Sequence, residues 1–291
     1  MKSDDEHSGI LYVVSTPLGN LEDITLRALK VLKTVDLIAA EGVEHTRALC
    51  RHYGIKTRVV GYNQHNQKGK GKDLLRRLQR GAHIALVTNA GTPGVSDPGV
   101  LLARQVLEAG IRVSPIPGPS AVTAALSVSG FPGERFLFVG FLAPRSARRK
   151  REIEGLSSEE RTMVFFEAPH RVVDMLGDLL EILGDRPMVL VREATKLHEQ
   201  VTGGTVRSVM EDLGQGNARG EFTLVVAGRR RDEDPCPLSE DIRKRMEMLL
   251  RENATGVRDA AKKLALEEGL PWRRVYRECL SFKREEEIPR D

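Results

Sequence analysis

Cysteine is scarce in this chain. Cys50, Cys236 and Cys279 are the only three, scattered without a CxxC pair. That argues against a disulfide framework or a cysteine-built zinc site and for a reducing compartment. The seven histidines show no HxxxH or HExxH spacing, so no metal is expected. No apolar run approaches the ~20 residues of a membrane span. The polar, acidic start MKSDDEHSG reads as neither a signal nor a transit peptide. A cytoplasmic protein is expected. GxGxxG and GxxxxGK[ST] are both missing, and the Gly69-Lys70-Gly71-Lys72 run ends in Asp73 and reads as a solvated loop. Nicotinamide and ATP chemistry are therefore disfavoured. A large charge excess is missing too: 45 Lys and Arg against 41 Asp and Glu leave +4. Any nucleic-acid surface must come from local clustering.

What is present is an alternation of short apolar runs and helical patterns. Strands are expected at 10–15, 36–41, 58–62, 84–87 and 112–116, with helices between them, so residues 1–133 read as an α/β domain with a parallel sheet. Three turns rich in Gly and Pro, at 16–20, 91–99 and 117–120, each follow a strand. In a parallel sheet they gather at one edge, where open α/β sheets bind ligands. Pro119 suits the first position of the helix that follows. Residues 131–135 read as a joint. A second α/β domain over 134–228 holds strands at 136–142, 162–167, 188–193 and 221–227 and helices at 146–155, 170–183 and 205–213. Residues 229–240 read as a charged, Pro-bearing linker. The remainder, 241–291, reads as helical, with a Gly269 turn between two amphipathic helices that resembles a helix-turn-helix.

Several clusters carry chemistry. Arg145, Arg148, Arg149, Lys150 and Arg151 are five cations without an intervening acid. They stand at a helix start, where cations oppose the helix dipole, and phosphate contacts with RNA would explain the placement. FFEAPHR (165–171) joins a carboxylate, an imidazole and a guanidinium just after a strand. Glu167 and His170 are candidates for acid–base work, and Arg171 for holding an anion. Asn63, Gln64, His65 and Asn66 form a polar loop that faces either the same pocket or water. Arg192, Glu193, Thr195 and Lys196 close a later strand and read as ordinary surface residues.

TPLGN, TNAGTPGVSDPG, PGPSA, FFEAPHR, REATKLHEQVTGGT and GEFTLVVAG occur in one order over about 9–228. In this the chain resembles the 16S rRNA (cytidine-2′-O)-methyltransferases of the tetrapyrrole-methylase-like superfamily. The resemblance implies a two-domain tetrapyrrole-methylase-like (class III) α/β fold with a small C-terminal helical domain. It implies S-adenosylmethionine as methyl donor, a homodimer, and 16S rRNA of the 30S subunit as partner, methylated on the 2′-hydroxyl of a decoding-site cytidine. By position, Pro17, Leu18 and Gly19 would line the cleft. Asn89, Ala90, Gly91 and Pro93 would contact the donor, with Ser120 and Ala121 nearby and Phe166, Glu167 and His170 opposite.

Two stretches depart from the family pattern. EGVEHT (41–46) stands for EDTRHT, and Thr88-Asn89-Ala90 for SDA. The second change replaces an acid facing the cationic donor with an amide. Two other readings share parts of the sequence: a methylase of small tetrapyrroles, and a nucleic-acid-binding protein with lost methylase activity, using Arg273, Arg274 and Arg277. The basic segment and helical tail favour RNA over a small porphyrinogen.

Overall fold

The computed structural model describes residues 8–214, 219–229, 239–251 and 256–270, and beyond these Trp272, Val275, Tyr276, Glu278, Cys279, Leu280 and Phe282. It divides into two compact units, one ending at Arg229 and one beginning at Arg230.

The first unit opens with a five-stranded parallel sheet. Its strands are β1 (Ile10–Val14), β2 (Leu37–Ala40), β3 (Val59–Gly61), β4 (Ile84–Val87) and β5 (Arg112–Ile116), in the order β3-β2-β4-β1-β5. Helices α1 (Leu26–Thr34), α2 (Val43–His52), α3 (Gln67–Gln79), α4 (Val100–Glu108) and α5 (Ala121–Ser129) follow the strands in turn. The continuous apolar runs are explained by burial on both faces. Ala85 and Val87 of β4 pack with Ala28, Leu32 and Leu49 from α1 and α2. Ile84 and Leu86 pack with Leu74, Leu78, Leu102 and Val106 from α3 and α4. The helices after β1 and β2 thus cover one face and the helix after β4 the other. Adjacent strands whose chains leave in opposite directions open a crevice at their carboxyl ends.

The three Gly/Pro turns meet there and are bonded together. Thr16 and Gly91 exchange backbone hydrogen bonds of 2.9 and 3.0 Å, the Ser15 and Thr92 hydroxyls lie 2.8 Å apart, and the Thr92 hydroxyl donates to the Pro119 carbonyl at 3.2 Å. Gly91 takes φ +78°, a conformation that a side chain rarely adopts. Two local expectations change. Residues 69–72 lie within α3, where Gly71 is buried, rather than in a solvated loop. Pro119 does not start α5: Ser120, in extended backbone, is the capping position and Ala121 the first helical residue.

The second sheet is mixed. β6 (Phe136–Phe141), β7 (Thr162–Glu167), β8 (Pro187–Arg192), β9 (Gln200–Thr205) and β10 (Phe222–Val226) run in the order β6-β7-β10-β8-β9, with only β6 and β7 parallel. Strand β9 was not expected from the sequence, because QVTGGT lies at the sheet's edge, with no residue buried, and has no apolar alternation. Helices α6 (Ser146–Glu154), α7 (Val172–Leu183) and α8 (Val206–Gly214) cover one face of the sheet. The other face packs on α5, whose Val122 and Ala125 join Val164, Val189, Val191 and Val225 in one core. Helix α5 therefore belongs by sequence to the first sheet and by packing to the second. That shared core makes one compact unit of the two halves.

The second unit holds α9 (Glu240–Arg251), α10 (Val257–Glu267) and further helical residues from Trp272, around a core of Met246, Ala261, Leu264, Ala265, Val275 and Cys279. Gly269, at φ +64°, ends α10. The expected linker, apart from Arg229 and Ser239–Glu240, lies outside the described residues. Among the described residues no helix is long and apolar enough to cross a membrane.

Candidate active site

Within the first unit, a cavity of about 360 Å³ opens between the carboxyl edge of the parallel sheet and the second sheet. Its first side comes from Leu18, from Asn89, Ala90, Gly91 and Thr92 after β4, and from Ser120 and Ala121 at the start of α5. Its second side comes from Phe141, Phe166, Glu167, Ala194 and Thr223. The Phe166 ring is fixed between Phe138 and Phe141, with centroids 5.1 and 5.6 Å away. Of the residues picked from the sequence, Leu18, Asn89, Ala90, Gly91, Ser120, Ala121, Phe166 and Glu167 meet around this one space.

Others lie elsewhere. Pro17 and Gly19 border a neighbouring cavity of about 280 Å³, and Leu18, Thr88 and Asn89 line both spaces. Pro93 is buried and lines neither cavity. His170 is exposed and lines neither cavity. The polar loop 63–66 is also outside: the Asn63 and Asn66 side chains bond to the loop's own backbone and build its turn.

Glu167 is not a free carboxylate. Its side chain is fully buried, one oxygen accepting from the Ala168 N–H at 2.8 Å and the other from the Arg171 guanidinium at 3.1 Å. Arg171 also donates to the Leu142 carbonyl at 2.7 Å, while its Nε is buried without a partner. The pair holds the end of β7 to the start of α7. Both Glu167 oxygens are thus engaged by the protein's own donors, and the side chain serves the architecture at this junction.

Three acids missed in the sequence face the cavity: Glu41, Asp97 and Glu221. Glu41 Oε2 accepts from the Thr88 hydroxyl at 2.6 Å and from the Asn89 N–H at 3.2 Å. Burial pushes the Asp97 carboxyl up to about 6, opposed by a Thr88 hydrogen bond and reinforced by the Glu41 and Glu221 charges. Glu221 is paired with Lys196 at 3.2 Å, whereas no cation pairs with Glu41 or Asp97 among the described residues. Two signals were available in the sequence: Glu41 ends an apolar strand, and Asp97 sits within the Gly/Pro loop; the structure adds that its neighbour Ser96 holds φ +63°. A non-glycine residue held there is a sign of local strain at a functional loop.

The two departures from the family pattern touch each other. A Cβ at Gly42 would collide with Asn89 Oδ1, and that oxygen is buried without a hydrogen-bond partner. The 192–196 stretch, read as ordinary surface, instead closes the site. Glu193 and Thr195 take φ +52° and +66°, Ala194 lines the cavity, the Asn20 N–H donates to the Thr195 hydroxyl at 3.1 Å, and the Lys196 stem fills the space that a side chain at Gly19 would need.

The basic segment is only partly a surface. Arg149 is buried and bonds Asp178 at 2.6 Å, and Lys150 bonds Glu181 at 2.6 Å and Asp178 at 3.7 Å. Arg148 pairs with Glu152. Only Arg145 and Arg151 are exposed without an ion pair among the described residues. The expected row of five RNA-facing cations is thus corrected for Arg149, which α7 draws inward. Arg273, Arg274 and Arg277 lie outside the described residues.

The family described as Tetrapyrrole (Corrin/Porphyrin) Methylases matches residues 10–210. The Ribosomal RNA small subunit methyltransferase I of a Synechocystis species is 43% identical over 276 residues, covering 94% of this chain and 99% of that protein. The chain belongs to the ribosomal RNA small subunit methyltransferase I family. The Escherichia coli O157:H7 member is 45% identical over 241 residues, covering 81% and 84%. Among solved structures, a Thermus thermophilus uroporphyrin-III C-methyltransferase complexed with S-adenosylhomocysteine shares the fold, at a TM-score of 0.55 and 21% identity over 75% of this chain and 97% of that one.

Proposed function

We propose that the protein transfers a methyl group from S-adenosylmethionine, held in the cavity between the two sheets, to the 2′-hydroxyl of a cytidine in 16S rRNA of the small ribosomal subunit. The observation that carries the reading is the pair Glu41 and Asp97, two carboxylates in a cavity of about 360 Å³ with no cation partner among the described residues. A donor bearing a sulfonium and an ammonium group supplies the missing positive charge. The amide at Asn89 then costs less than it seemed to, because Glu41 stands beside it. Backbone groups of Asn89, Ala90 and Gly91, with Ser120 and Ala121, would hold the donor, and Phe141 and Phe166 offer an apolar wall suited to a purine ring.

The bound donor supplies an activated methyl group, so the protein's task is alignment and removal of one proton. Glu41 sets the negative potential. Asp97 takes the hydroxyl proton, in place of Glu167 and His170: it lines the cavity and is poised near 6. Arg145 and Arg151 contact RNA phosphates. The resemblance to the family supports a homodimer acting in the cytoplasm.

The test is incubation with isotopically labelled S-adenosylmethionine and 30S subunits, followed by mapping of the labelled nucleotide. One methylated ribose on a cytidine is expected. Labelling of a porphyrinogen, with none of 30S subunits, would overturn the reading in favour of a tetrapyrrole methylase.

A further inference from the structure

The second unit carries a groove of about 720 Å³ along α10, lined among others by Arg258, Lys262, Leu266 and Trp272. Trp272 is the chain's only tryptophan, and it remains 37% exposed while stacked on Tyr276, with ring centroids 5.1 Å apart and planes 13° from parallel. Leu266 is 87% exposed beside it. An aromatic ring already held flat by a second ring has little side-chain freedom left to lose when a third stacks on it.

The charge points the same way. Arg258 and Lys262 are exposed, lie four residues apart on one side of α10, and have no ion-pair partner among the described residues. Asp259 is the one acid in the lining, and the nearby Glu267 and Glu268 are taken up by Arg245 at 3.2 and 2.6 Å. A fixed aromatic platform flanked by free cations is how proteins bind single-stranded nucleic acid: bases stack and phosphates meet the cations.

We infer that this groove binds a single-stranded segment of the RNA substrate, one base stacking on Trp272 and the adjoining phosphates meeting Arg258 and Lys262. The choice of RNA rests on the rRNA reading above, but the groove's own chemistry is tested separately from methyl transfer.

The experiment titrates the full-length protein with a fluorescein-labelled, mixed-sequence single-stranded RNA dodecamer. Anisotropy reports binding, and the single tryptophan reports the groove. Quenching of tryptophan emission in step with anisotropy is expected. Trp272→Ala should weaken binding roughly tenfold, with Trp272→Phe recovering most of the loss. Arg258→Ala and Lys262→Ala, on exposed positions outside the core, should each lower the slope of log affinity against log salt by about 0.7. RNA that saturates the protein without changing its tryptophan emission overturns the inference. So does equal quenching by the same sequence as a duplex, whose bases are not free to stack. Methylation of 30S subunits without quenching overturns the groove alone; quenching without methylation overturns the functional reading and leaves the groove.

Discussion

The first sheet is parallel throughout and meets the cavity with loops, whereas the second is mixed and meets it with strand ends. Their acids differ in the same way. Glu41 and Asp97, from the first half, have no cation partner among the described residues; Glu167 and Glu221, from the second, are tied to Arg171 and Lys196. One half keeps its charge available and the other spends its charge on its own architecture. A parallel sheet sends every loop after a strand to one edge, so backbone groups and unpaired acids collect there. The antiparallel partners of β10 place a strand end beside neighbouring loops, where Lys196 reaches across to Glu221.

The contrast can be broken most directly at Asp97. With donor and RNA saturating, Asp97→Asn should lower turnover by about 10²–10⁴-fold. In the wild type, kcat/KM should fall as the pH drops through about 6, because the proton acceptor of the free enzyme must be ionised. A pH–rate profile that keeps its acidic limb in Asp97→Asn defeats the assignment. The stability effect has the opposite sign. The folded-state value lies above the unfolded one, so the ionised group costs the folded state stability above that range, and the cost is relieved as the pH falls through 6 toward 4. Asp97→Asn should therefore raise the thermal midpoint at pH 8 and leave it nearly unchanged at pH 4.

The paired acids of the second half predict a loss of stability instead. Arg171→Met leaves Glu167 buried without its cation, and should cost about 3–5 kcal/mol in denaturant unfolding. Glu41→Gln, on the other side of the cavity, should change stability far less while weakening S-adenosylmethionine binding about tenfold or more, the scale of one charged interaction. Calorimetry and unfolding curves on both variants separate the roles; an Arg171→Met protein as stable as the wild type removes the contrast.

The smallest expected effect sharpens the first half. Gly42→Ala should weaken donor binding by a few-fold, because its Cβ forces the Asn89 side chain aside. Asn89→Ala should absorb that loss. A double-mutant cycle with coupling of about 0.5 kcal/mol or more supports a packed pair, and additivity argues for independent changes.

Much of the fold was legible. The predicted strands at 84–87, 112–116 and 162–167 match β4, β5 and β7 residue for residue, and in β4 and β7 the buried apolar run leaves little choice of boundary. The turns that line the cavity were legible for the same reason, since Gly and Pro restrict backbone locally. Strand β9 was not legible, because an edge strand needs no apolar face. The inward turn of Arg149 was hidden as well, since its partner Asp178 is 29 residues away on another helix.

The sequence by itself determined the alternation of strand and helix, the gathering of three turns at one edge and, through its ordered motifs, the family. Those features depend on local backbone preference and on short-range periodicity. Only the tertiary structure decided which charges remain available. Among the described residues Asp97 is unpaired and Glu167 paired, Arg145 is exposed and Arg149 buried. Neutralisation and burial depend on neighbours supplied by the packing of whole helices and sheets, and five adjacent letters such as RSARR cannot state which of them the fold will turn inward.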